Sequence, residues 1–367
     1  MTKFIISGMD VHDKSIKLMW AADNGTPAVL DLRNNEDGRW ALIERLKTEA
    51  QRNGSTAQVV VCYEASCLGF GLYDELTEAG IICHVLAPNR IRKSRKDVKR
   101  KTDLADAKML FETLRGHVLA GNDLPTVWVP PKELRDHRDL VRMRLSVGAK
   151  LTEIKNQIGM LLRKNQVRRP QGSSKSWTAG HRAWLLGLTR EQSVLSPITR
   201  IVLASLLRQL DQMEAEESKL DREILRLAET PRYRASCLAM NRKIKGVGIF
   251  TAMVFLTELG DLNRFRNRRE LASFLGLTPS SDESGEVSNR KGHICRSGPS
   301  RVRWVLCQAS WCHITHSVDA RATYDRIRKH SDKLKKVGLV AVMRKLAILM
   351  WHTGKDSAVG LATPAAA

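Results

Sequence analysis

Short apolar runs and longer periodic ones divide this chain. FIISGMDV (4–11), SIKLMWAA (15–22) and PAVLDL (27–32) are brief, rich in β-branched residues and separated by Asp, Asn, Gly and Pro. That punctuation predicts three strands in a meander. RWALIERLKTEA (39–50) changes to helical spacing, AQVVVCYEA (57–65) is apolar enough for a buried strand, 68–79 is again helical, and IICHVLAP (81–88) reads as a further strand.

Three hairpin-like strands followed by alternating helix and strand give β-β-β-α-β-α-β, the order of an RNase H-like α/β fold. From Lys132 to about Asn165 the pattern turns helical, and Val147, Leu151, Ile154, Ile158 and Leu161 alternate spacings of four and three, as in a coiled-coil seam. Pro170, Gly172 and the serines through 176 break it. A second seam follows at Leu203, Leu206, Leu210, Met213, Leu220, Ile224 and Leu227, interrupted at Glu217. Together they predict a long helical hairpin or a dimerising arm, against the plainer reading of two amphipathic helices in a bundle.

Beyond Pro231, IKGVGIFTAMVFL (244–256) sets Gly246 and Gly248 between two apolar helical stretches. This suits a helix-hairpin-helix whose glycine turn approaches a phosphate, or an ordinary helical connection. Residues 338–352 form a last apolar helix. The expected domains are 1–130, 131–230 (the helical segment) and 231–355 (mostly helical), with 356–367 as a tail.

Charge sharpens this picture. The chain has 367 residues, a net charge of +22 and a pI near 10, which points to a polyanionic partner. Residues 1–88 carry eight Lys/Arg against twelve Asp/Glu, a net −4 that leaves +26 for the remainder. No run of eighteen apolar residues occurs and the N-terminus lacks a secretory h-region, so a cytoplasmic protein without membrane contact is expected, with nucleic acid as partner. The seven cysteines are odd in number and form no CxxC pair, which argues against disulfides or a zinc ribbon. They read as reduced core thiols; Cys307, Cys312, His313 and His316 could be imagined as a metal site, but the segment reads as a helix, which argues against ligation.

The chemistry concentrates in four acids. Asp10 ends the first strand and Glu64 the buried one; if those strands are neighbours, both emerge at one sheet edge. Thr102 is positioned as an N-cap, which puts Asp103 and Asp106 at i and i+3 in the opening turn of a helix. Singly, each acid has a plain explanation in turn formation or in the helix dipole. They stand, however, beside RIRKSRKDVKRK (90–101), with Arg90, Arg92, Lys93, Arg95, Lys96, Lys99, Arg100 and Lys101. Such a run is ordinarily a solvated face. Combined, they suit Mg²⁺ or Mn²⁺ held by carboxylates with a phosphate backbone held by the bases, as two-metal attack on a phosphodiester requires.

GMDVHDKS, VCYEAS, KTDLADAKML, and LASFLGLTPSSDESG followed by KGHICRSGPSRVRW resemble, in this order along nearly the whole chain, the DEDD insertion-sequence transposases. That family is related to the Piv invertases and includes the bridge-RNA-guided recombinases. The resemblance implies a RuvC-like domain with a tetrad of Asp10, Glu64, Asp103 and Asp106, a coiled-coil segment, and a C-terminal domain whose nucleophilic serine falls on Ser284. It implies donor and target DNA and a noncoding guide RNA as partners, a covalent phosphoserine link, a dimer or tetramer, and a nucleoid-associated bacterial protein. Asp282 and Glu283 depart from the family's pattern beside that serine. Arg301, Arg303 and the Gly246–Gly248 turn are further expected nucleic-acid contacts.

Bottom-up, Ser284 is an unremarkable loop serine among Ser280, Ser281 and Ser288, without an adjoining histidine. Two other readings therefore stand: a RuvC-like resolvase or nuclease using metal-activated water, and a nucleic-acid scaffold whose acids are structural. No recognition-helix motif supplies base readout, which is compatible with specificity delegated to RNA pairing.

Overall fold

A computed structural model describes residues 3–54, 57–91, 102–169, 177–281, 291–329 and 331–357. The chain divides into two compact units, Met1–Pro130 and Pro131–Ala367.

The first unit is built on a five-stranded sheet of β1 (Phe4–Val11), β2 (Ser15–Ala22), β3 (Ala28–Arg33), β4 (Gln58–Glu64) and β5 (Ile82–Leu86), in the order β3-β2-β1-β4-β5. β1 runs antiparallel to β2 and parallel to β4, and β4 runs parallel to β5. With α1 (Glu36–Asn53) and α2 (Gly71–Glu78) between the later strands, the sequence order is the β-β-β-α-β-α-β predicted above. Alternation divides the strand residues between two cores. Ile5, Met9, Val59, Val61 and Tyr63 join Leu42 and Leu46 of α1 and Leu76 of α2 on one face. Ile6, Val60 and Cys62 meet Leu110, Phe111 and Leu114 of α3 (Asp103–Ala120) on the other. Asn35 caps α1 by accepting from the Gly38 amide, and Gly121 ends α3 in the left-handed conformation at φ 72°.

The second unit is helical, with α4 (Lys132–Lys164), α5 (Ala179–Gly187), α6 (Pro197–Ala228), α7 (Arg234–Lys243), α8 (Ile249–Leu259), α9 (Arg268–Phe274), α10 (Ser300–His316), α11 (Val318–Arg328) and α12 (Lys335–Ser357). A small antiparallel pair, β6 (Pro279–Ser281) and β7 (Lys291–Ile294), precedes α10. α4 and α6 pack on one another through Val147, Leu151, Ile154, Ile158 and Leu162 against Leu203, Leu207 and Leu210. The predicted seams thus close within one chain as a helical hairpin, and these residues are covered without a second copy. Glu217, the gap in the second seam, is the partner of Arg144 on α4 at 2.8 Å.

α8 is buried from Ala252 through Leu259, as befits a helix apolar on every side. Its C-terminal carbonyls are capped from α4: Arg138 donates to the Thr257 and Glu258 carbonyls at 2.7 and 2.8 Å, and Arg142 pairs with the Glu258 carboxylate at 2.7 and 2.9 Å. Val141, Ile224 and Ala228 share a core with α7, α8, α10 and α12, so the arm helices and the C-terminal helices form one body.

Candidate metal centre

The parallel pairing of β1 and β4 decides where two of the acids lie. Met9 is in register with Tyr63, so Asp10 and Glu64 follow side by side where the two strands end. By alternation they share the sheet face of Gly8, Ile6, Val60 and Cys62, which is the face α3 covers. α3 can reach this edge because position 8 has no side chain. A Cβ on Gly8 would lie 2.0 Å from the Phe111 nitrogen and 2.5 Å from its Cα. The helix backbone therefore rests directly on the strand, two residues before Asp10. The Cys62 thiol donates to the Leu110 carbonyl at 3.4 Å and ties β4 to the same turn of α3.

Thr102 caps α3 by accepting from the Ala105 amide at 3.2 Å, as its position predicted. Asp103 and Asp106 occupy the first turn, where the positive end of the helix dipole favours carboxylates. His12 Nε2 lies 3.2 Å from Asp10 Oδ2 and 3.7 Å from Asp103 Oδ1. One ligand atom from each of Asp10, His12 and Asp103 falls within 4.8 Å of the others. Burial raises the Asp10 carboxyl above its ordinary 3.8; His12 opposes the rise, and the charges of Asp106 and Asp103 add to it. Like charges held together by the fold are a standing demand for a cation, and two carboxylates with an imidazole are a donor set that a divalent ion fits.

Of the four acids, the structure unites Asp10 and Asp103 directly and sets Asp106 close enough to act on Asp10. Glu64 is half-buried on the adjoining strand and lies outside the tight group. His12 was missed by the sequence reading. Its signal was present as Asp-x-His at a strand end, but a histidine immediately after a strand can join such a group only when a second element folds over it.

The remaining expected contacts divide. Arg92, Lys93, Arg95, Lys96, Lys99, Arg100, Lys101 and Ser284 lie outside the described residues. Arg90 is exposed just after β5, and Arg301 is exposed on α10. Arg303 has a different task. Its guanidinium donates to the carbonyls of Leu275, Arg296, Ser297 and Gly298 at 2.9 to 3.2 Å, bracing the segment before α10. Gly246, at φ 92°, joins α7 to α8, but its bare side faces α10: a Cβ there would stand 2.9 Å from the Ala309 oxygen and the His313 nitrogen. The glycine thus serves the close approach of two helices. His313 Nδ1 is 2.8 Å from the Lys245 carbonyl, and among the described residues Cys307, Cys312, His313 and His316 form no metal-holding group.

A DEDD transposase family model of the IS110 type matches residues 7–165, and that of the transposase IS116/IS110/IS902 family matches residues 241–325. A putative transposase of Sinorhizobium fredii, y4qE, is 29% identical over 89% of this chain and 84% of its own length. The transposase for insertion sequence element IS1533 of Leptospira borgpetersenii is 27% identical over 85% of this chain and 86% of its own. Among solved structures, RuvC of Thermus thermophilus matches at 14% identity and a TM-score of 0.24 over 34% of this chain and 99% of that one. No helix among the described residues is long and apolar enough to cross a membrane. The acids that β1 and α3 bring together belong to the first matched stretch, and the second ends the same order of motifs: this chain is a DEDD transposase of the IS110 family.

Proposed function

We propose that the chain cleaves and rejoins DNA strands by divalent-metal-dependent transfer to Ser284, with target choice delegated to a noncoding RNA. The observation that carries the first part is the gathering of Asp10, His12 and Asp103 where β1 meets the N-terminus of α3. With Asp106 and Glu64 beside them, these residues would hold Mg²⁺ or Mn²⁺, which supplies charge neutralisation and Lewis acidity at a phosphodiester. The run 90–101 and Arg301 would hold the DNA backbone, giving affinity without sequence.

In the serine step, a bond forms between Ser284 Oγ and phosphorus as one P–O bond of the backbone breaks. The serine proton is released and the departing deoxyribose oxygen takes one up. The number of phosphoester bonds is unchanged, so rejoining requires no ATP. A dimer or tetramer would bring donor and target strands together.

Incubation with labelled DNA and Mg²⁺, followed by a denaturing gel, tests this reading. The wild-type protein should give a denaturant-stable protein–DNA adduct, and Ser284→Ala should give none. Hydrolysed ends without an adduct would assign the nucleophile to water. An adduct that survives Ser284→Ala would move it to a neighbouring residue.

A further inference from the structure

The tetrad accounts for the carboxylates but not for the imidazole set between them. His12 is not placed there by chance orientation of a loose loop. Its amide donates to the Ser15 carbonyl at 2.8 Å across the β1–β2 turn, and its own carbonyl accepts from Asn34 Nδ2 at 2.7 Å. The backbone is thereby pinned from two sides. The side chain is 53% exposed, yet its Nε2 stands 3.2 Å from the carboxylate of Asp10, whose side chain is 17% exposed.

The spacing is informative. Two ligand atoms on one octahedral ion with bonds of about 2.1 Å stand about 3.0 Å apart when adjacent and about 4.2 Å when opposite. The 3.2 and 3.7 Å separations from His12 Nε2 fall in that span. An ion-pair role alone would need no such convergence of three ligand atoms from a strand, a turn and a helix.

We propose that His12, through Nε2, is a third protein ligand to the divalent cation held by Asp10 and Asp103, and that this nitrogen tilts the centre toward Mn²⁺ over Mg²⁺. The inference rests on the metal-site reading above. Mg²⁺ is a hard ion that prefers carboxylate oxygen and its own waters, whereas imidazole suits first-row transition metals. Exchanging the nitrogen for oxygen or for nothing should therefore change the two affinities unequally.

The test uses the full-length protein. Calorimetry gives the affinities for Mn²⁺ and Mg²⁺, and pulsed electron paramagnetic resonance reads whether a ¹⁴N nucleus is bonded to bound Mn²⁺. The wild type should show ¹⁴N coupling, and His12→Gln should lose it. The same change should weaken Mn²⁺ by about tenfold or more and Mg²⁺ by under about threefold. His12→Asp should bind without ¹⁴N coupling and restore preference for Mg²⁺. Circular dichroism melting checks that these half-exposed substitutions leave the fold intact. Mn²⁺ that binds, is lost in Asp10→Asn, yet shows no ¹⁴N coupling in the wild type would overturn this inference and leave the metal site standing. Binding that is unaffected by Asp10→Asn and Asp103→Asn would overturn both.

Discussion

Two clusters of charge in this protein are built on opposite plans. On the helical unit, every carboxylate of the cluster meets a guanidinium. Glu258, 6% exposed, receives both donors of Arg142, and Arg144 bridges Glu217 and Asp221 at 2.8 and 2.7 Å. Donation to the Glu258 carboxylate raises Arg142 above its ordinary value, so the pair favours its charged state. At the end of β1 the plan is reversed. Among the described residues, Asp10 and Asp103 converge with the imidazole of His12 between them, Asp106 adds its charge to Asp10, and Asp10 is held above its ordinary value. The first arrangement satisfies itself and holds helices together. The second, among the described residues, has no such partner, and a cation would satisfy it. Charge that is balanced reads as structure, and charge that the fold crowds without balance reads as function.

The widest separation between the two clusters should come from Asp103→Asn. It removes one carboxylate from the crowded site and should cut strand cleavage by about a thousandfold or more, roughly 4 kcal/mol of barrier, while DNA or RNA binding stays largely intact. A cleavage assay beside a filter-binding assay reads both, and a fully active variant would contradict the role.

Gly8→Ala attacks the geometry instead of the charge. Its methyl would stand 2.0 Å from the Phe111 nitrogen, so α3 must lift from β1. Thermal unfolding should show a loss of about 3 kcal/mol or more, and Mn²⁺ binding should fall with it.

On the balanced cluster, Glu258→Gln should lower stability by roughly 2 kcal/mol, because the buried partner of Arg142 loses its charge, while the cleavage chemistry of the folded protein is kept. A change in metal affinity with that variant would dissolve the distinction between the clusters.

The smallest effect is a slope. Since the folded Asp10 carboxyl titrates above 3.8, the folded metal-free protein binds the proton more readily than the unfolded chain. Its contribution to stability is complete below 3.8 and is lost as pH rises through the folded value. Denaturant unfolding of metal-free protein should show that decline, and Asp10→Asn should flatten it.

How much of this was legible differs from residue to residue. β1 and β2 end where FIISGMDV and SIKLMWAA end, because alternation and turn residues are local signals. Thr102 was legible as a cap for the same reason. The arm seam was read at Leu161, whereas Leu162 is the buried residue: a straight helix turns every 3.6 residues and drifts from a strict heptad over that length. Arg303 and Gly246 were read as nucleic-acid contacts because basic and glycine-rich segments favour phosphate in general. Their partners are carbonyls and a helix that the local sequence does not name. His12 is not legible because its neighbours in the chain say nothing of Asp103, far along the sequence.

By itself the sequence determined the strand alternation, the helix caps, the long amphipathic helices and the identity of the acids, since each depends on residues within a turn or two of one another. Tertiary structure alone decided that Asp10, His12 and Asp103 share one point in space, and that the arm seams close on each other. The first depends on the bare backbone at Gly8, which lets α3 rest on β1, and the second on the packing of α4 against α6; in both, contact over long separations, not local preference, sets the distance between groups.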